Sequence, residues 1–210
     1  TLKSKRRNCD LSFANLYSWR FLYRTQIAEM NGFLLFRFYM EDERAYMMPV
    51  GEGDVRPVIE ALMEDAQTDG KRFLLAGVCA DMRSELEDAF PGKFVFTADR
   101  DNFDYIYLRS DLAALRGKKY QPKPLTPELV AECLRLESQW CKANDCAENE
   151  ALQAERKSMT AALAAMEELQ LTGGVLHVNG NIVAFTFGAP INDETFDVCV
   201  EKANTDIEGS

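Results

Sequence analysis

The sequence predicts an α/β chain, a mixed α+β sheet arrangement in two successive units. Three observations carry that expectation. Strand-length apolar runs alternate with helical periodicity through residues 23–109, a similar three-stranded meander recurs within residues 126–202, and 210 residues that are 47% hydrophobic suffice for one large or two small cores. The repeat rests on element order rather than residue identity, and its second copy breaks off where a further helix is expected.

Ser12 ahead of Phe13, Leu16, Tyr17 and Trp19 predicts a short capped helix with an aromatic face. Residues 32–40 (GFLLFRFYM) and 44–50 (RAYMMPV) flank the charged turn Glu41-Asp42-Glu43, the pattern of an antiparallel hairpin. Gly51-Glu52-Gly53-Asp54 then opens into helical spacing of Val58, Ile59, Leu62, Met63 and Ala66. Strands are expected over 73–78, 93–97 and 103–109, with a helix over 81–90, so that each strand meets an element able to cover it. The first unit is taken as residues 1–119 and a linker as 120–125.

The second unit, residues 126–210, opens at Thr126-Pro127-Glu128: a hydroxyl cap, a proline whose missing N–H costs nothing at the first helical position, and an acid in the first turn. Leu129, Val130, Cys133, Leu134, Trp140 and Cys141 form the stripe of that helix. A second helix is expected over 148–169, with Leu152, Met159, Leu163 and Met166 inward, stopping at Gly173-Gly174. Residues 173–188 (GGVLHVNGNIVAFTFG) read as a hairpin whose Asn179-Gly180 turn suits the positive φ angles of type I′, and 195–202 as a third strand.

A net charge of −10, from 24 basic and 34 acidic residues spread along the chain, disfavours indiscriminate binding to DNA or an anionic membrane, so a polyanionic partner must use a local basic patch. No apolar run approaches the roughly 20 residues that span a bilayer, which excludes stable membrane insertion and places the protein in the cytoplasm. Cys9, Cys79, Cys133, Cys141, Cys146 and Cys199 form no CxxC pair and are read as reduced thiols. His177, the lone histidine, lacks partners for a zinc site and is read as a surface or hairpin residue, so no metal is expected.

The element order resembles the GNAT acyltransferase fold. The words CDLSFANLYSW (9–19), YMMPVGEGD (46–54), DRDNFDYIYLRSDLAALRGKKYQPK (99–123) and VAFTFGAPINDETFDVCVEKANTDIEG (183–209) are similar to those of an uncharacterised bacterial family. That family is related to the C-terminal domain of phosphatidylglycerol lysyltransferase, and the resemblance covers nearly the whole chain. It implies two tandem GNAT-like units that transfer an acyl or aminoacyl group from acyl-CoA or aminoacyl-tRNA to an amine or hydroxyl. The acceptor would be a small molecule or a lipid head group, which would bring the protein to the periphery of the inner membrane. The family pattern departs at Lys123-Pro124, where further basic and aromatic residues are expected, and after Gly209, where a helix and several strands should follow. The second unit is therefore expected to be partial here.

Several residues are candidates on chemical grounds. Gly51 and Gly53, between a strand and a helix start, could offer backbone N–H groups to a coenzyme pyrophosphate, whereas Glu52 and Asp54 oppose phosphate and serve equally as caps. Lys118 and Lys119, with Arg116, Lys123 and Tyr120, suit an anionic head group or a tRNA acceptor end, or form a solvated linker. By the resemblance, Glu201 and Lys202 end the last strand where the donor enters. Glu201 is the candidate proton acceptor and Lys202 a donor-binding charge; a surface ion pair is the alternative. Cys199, two positions earlier on the same strand face, would line the pocket or be simply a buried thiol. Tyr107 and Arg109 share a face of the 103–109 strand, as substrate contacts or as ordinary sheet packing. The alternative function is a non-catalytic ligand-binding module that keeps the fold.

Overall fold

The structure is a computed structural model that describes residues 5–40, 43–68, 70–114 and 122–207. Ser12 caps α1 (Phe13–Ser18) as expected, its hydroxyl accepting from the backbone N–H of Asn15. The apolar runs that follow build a sheet in which β1 (Gln26–Met30), β2 (Phe33–Met40) and β3 (Glu43–Met47) are successive antiparallel neighbours. The chain then crosses through α2 (Arg56–Thr68) to β4 (Leu75–Ala76), which pairs with β3 in parallel. The helix stripe read from the sequence is the face that packs, since Val58, Ile59, Leu62 and Ala66 join Phe33, Phe36 and Tyr46 in one core.

Asp65 fixes α2 to this sheet. It accepts from the hydroxyl of the fully buried Tyr46 at 2.6 Å and takes a two-pronged contact from Arg37 at 2.7 and 2.8 Å. α3 (Ala80–Ala89) then adds Met82 and Leu86 to the core. Three strand expectations need correction. Only Leu75 and Ala76 of residues 73–78 pair in the sheet. Residues 93–97 keep their alternation, with Phe94 and Phe96 packed inward and Val95 exposed, but have no strand partner among the described residues. Residues 103–108 likewise have no strand partner among the described residues, and Arg109 begins a helix, α4 (Arg109–Ala114).

The second sheet has the order β5 (Lys123–Pro124), β6 (Thr172–Val178), β7 (Asn181–Asn192), β8 (Thr195–Ala203). Between β5 and β6 lie α5 (Val130–Ala143), entered through a 3-10 turn at Pro127–Leu129, and α6 (Glu150–Ala164), capped by Asn149. Met159 and Leu163 are buried as expected, while Leu152 and Met166 are half-buried. Asn179 and Gly180 have φ of 50° and 81°, the paired positive values of a type I′ turn. Gly173 and Gly174 lie inside β6 rather than stopping a helix: a side chain on Gly173 would sit 2.1 Å from the carbonyl oxygen of Thr186 on β7.

The segment before β1 belongs to both units. Leu11 is buried in the first core and Ala14 in the second. The expectation of six reduced cysteines is also corrected, because Cys141 and Cys146 form a disulfide where the chain turns back after α5. Cys9, Cys79, Cys133 and Cys199 are free.

Candidate functional site

β8 pairs with β7 on one side and is the last strand of its sheet among the described residues. Val200 sits opposite Phe187 and Val198 opposite Gly188, so Cys199 is the extra residue of a bulge. Gly188 permits this: a side chain there would lie 2.0 Å from the Asp197 carbonyl oxygen, so the two backbones meet more closely than any other residue allows.

The bulge turns the Cys199 side chain into a cavity of about 30 Å³ between α1, α6 and β8, whose polar lining is Asn15, Ser18, Glu155, Ser158 and the Cys199 thiol. The Cys199 thiol donates to Asp197 at 3.3 Å, and burial followed by the Asp197 charge pushes its pKa far up, so it is held as a thiol. Burial also raises the Asp197 carboxyl, against the bonds it receives from Cys199 and Ser12.

Beyond Glu155 lies a buried ionic cluster. Lys202 Nζ is 2.7 Å from Glu155, 4.0 Å from Glu137 and 3.6 Å from the ring centre of Trp140. Glu137 is 1% exposed, and burial raises its carboxyl despite the opposing Lys202 charge. Neither glutamate was singled out from the sequence, although a signal existed: Glu137 stands one turn from Cys133 and from Cys141 on the apolar stripe of α5, where a charge needs a partner.

The candidates from the sequence fall in different places. Cys199 lines the cavity, but the bulge breaks the alternation that put it on one face with Glu201, which is exposed opposite Thr186 and lines neither cavity described here. Lys202 is engaged by Glu155 and buried. Gly51 and Gly53 lie in the exposed loop between β3 and α2, in the other unit. There a side chain on Gly51 would meet Gly32 O at 2.6 Å, and Asp54 accepts from the N–H of Arg56 at 3.0 Å. Tyr107 is 64% exposed and Arg109 sits at the start of α4. Lys118 and Lys119 lie outside the described residues.

A second cleft, about 400 Å³, opens between α5 and the β6–β7 turn, with Arg135, Gln139, Asn179, Asn181 and Asn204 among its walls. Among the described residues no helix is long and apolar enough to cross a membrane, and no group of three or more side chains could hold a metal ion.

Among curated proteins nothing matches the chain. A solved structure from Bacteroides thetaiotaomicron, titled a conserved protein of unknown function, is 52% identical, with a TM-score of 0.94 over 100% of this chain and 77% of that one. The profile of the family described as "Phosphatidylglycerol lysyltransferase, C-terminal" matches residues 2–124 and 120–210, so the chain belongs to the phosphatidylglycerol lysyltransferase C-terminal domain family.

Proposed function

We propose that the chain is a tandem GNAT-like acyltransferase that moves an acyl or aminoacyl group onto an amine or hydroxyl, with the donor laid along the outer edge of β8. The observation that carries this reading is the bulge at Cys199 in a strand that is the last of its sheet among the described residues. Alternate residues of such a strand direct backbone N–H groups away from the sheet, and a bulge re-aims them locally. A carbonyl that gains negative charge during acyl transfer is stabilised by fixed donors of this kind. Phe196 and Val198, each about half exposed on the same strand, supply apolar surface beside that edge.

Membership of a family described by a lysyltransferase domain supports transfer chemistry. In this reading Glu201 accepts the proton of the attacking group from the solvent side of β8, and Lys118 and Lys119 meet the donor's phosphates. The donor is aminoacyl-tRNA or acyl-CoA, and the acceptor is a small molecule or a lipid head group.

One observation favours the second reading, a binding module without the reaction. The cavity at Glu155 and Cys199, about 30 Å³, suits water or a very small group rather than a long acyl chain.

A thermal-shift panel of acetyl-CoA, longer acyl-CoA species and charged tRNA tests the first reading, because a true donor raises the melting temperature by mass action. A tRNA response should fall steeply with salt. Silence from all three overturns the transferase; a response without turnover on any amine or hydroxyl acceptor supports the binding module.

A further inference from the structure

Two parts of the second unit meet around one buried lysine. At the C-terminal end of α5, Cys141 is joined to Cys146 by a disulfide, and both residues are buried. One turn earlier, Glu137 places Oε1 3.5 Å from the sulfur of Cys141. A disulfide sulfur has no hydrogen to give, so that contact leaves Oε1 without a donor among the described residues, where Oε2 too is buried with no hydrogen-bond partner. The cations that face Glu137 are Lys202 of β8 and Arg156 of α6. Lys202 is 4.0 Å from Glu137 but only 2.7 Å from Glu155, and Arg156 donates to Ser138 at 3.0 Å. Two glutamates thus compete for one ammonium group, and in the disulfide state Glu155 holds it.

We propose that Cys141 and Cys146 form a thiol–disulfide switch that decides which glutamate holds Lys202, and thereby whether the Glu155 carboxylate is free to face the cavity between α1, α6 and β8.

The step balances with a dithiol reductant. It gives two electrons and two protons, the S–S bond breaks, two thiols form, and the reductant leaves as its own disulfide. The Cys141 S–H then has Glu137 Oε1 in reach, and a hydrogen bond to the ionised carboxylate favours its charge. A charged, hydrogen-bonded Glu137 draws Lys202 away from Glu155. The sulfurs are reached by fraying of the turn that carries them, where Asn144, Asp145, Ala147 and Glu148 are exposed. The switch is independent of the reaction the protein performs.

The test compares the oxidised chain with the same chain treated with dithiothreitol. Alkylation of the oxidised protein, unfolded without reductant and read by intact mass, should label four cysteines, the free ones. Lys202 lies over Trp140, so the indole N–H resonance of Trp140 reports its position; Trp19→Phe assigns the two indoles. We expect its pH titration midpoint, which follows Glu137, to be lower in the reduced protein by about one pH unit. In Glu137→Gln the redox dependence of that midpoint should vanish. Labelling of all six cysteines, equal midpoints in the two redox states, or a difference that persists in Glu137→Gln each overturns the proposal.

Discussion

The side-chain amide of Asn15 on α1 donates to the carboxylate of Asp197 on β8 at 3.0 Å, joining residues 182 positions apart. The contact belongs to a strap that runs between the two units. Asn8 donates to the carbonyl of Gly77 at 2.7 Å, the Arg6 carbonyl accepts from Asn192 at 2.8 Å, and Leu11 and Ala14 enter different cores. Truncating the strap at its apolar anchor should therefore act as a core mutation. Leu11→Ala is expected to lower stability by about 2–5 kcal/mol in urea denaturation. A loss of a few tenths would mean that the strap lies on the units without helping to hold them.

Asp65 gives the first unit a pH dependence whose sign is fixed by its neighbours. Burial raises its carboxyl, but the Tyr46 hydroxyl and the Arg37 guanidinium outweigh that, and the net shift is downward. A carboxyl depressed in the folded state contributes stability above its unfolded pKa, about 3.9, and loses it as pH falls through the folded value. Urea midpoints should thus drop more steeply below about pH 4 in the native protein than in Asp65→Asn. Parallel curves for the two proteins would show that the Tyr46–Asp65–Arg37 contact adds nothing net.

Much of this architecture was legible. Ser12, the Asn179-Gly180 turn and the stripe of α2 each carry a local signal strong enough to decide the local structure, and all three appear as read. What failed depends on distant chain. Phe103, Tyr105 and Tyr107 have strand composition but no neighbour to pair with among the described residues, and composition does not provide one. The site was less legible. The bulge at Cys199 arises where Gly188 brings β7 against β8, and a one-residue bulge reverses every face assignment after it, so Glu201 and Lys202 exchanged inside and outside. Glu137 and Glu155 could have been found, since acids on inward helix positions imply a buried cation.

The same closeness makes a prediction about glycine. Gly188→Ala places a methyl group on the Asp197 carbonyl and must push β8 away from β7 beside the bulge. We expect a loss of about 1–3 kcal/mol, the range for overpacking, together with faster amide exchange in Asp197 to Val200. Gly51→Ala should also destabilise, through its contact with the Gly32 carbonyl, with or without any phosphate ligand present. If Gly51→Ala instead leaves the urea midpoint unchanged and weakens acyl-CoA binding, the loop is a phosphate cradle after all.

The cluster at Lys202 separates two substitutions that look similar on paper. Lys202→Met removes the ammonium group that stands between Glu155 and Glu137, and it strands a carboxylate that is 1% exposed, so it should cost about 3–5 kcal/mol. Glu137→Gln leaves the 2.7 Å Lys202–Glu155 pair intact and removes a charge that burial already disfavours. A carboxyl whose folded pKa is raised contributes its stability below the unfolded value, about 4.3, and loses it as pH rises through the folded one. Glu137→Gln should therefore be neutral or stabilising at pH 7, with a flatter decline of stability above about pH 4 than the native chain. Equal losses in the two variants, read from urea midpoints at pH 5 and pH 8, would mean that Glu137 is a full partner of Lys202 and that Glu155 holds the lysine no more firmly than Glu137 does.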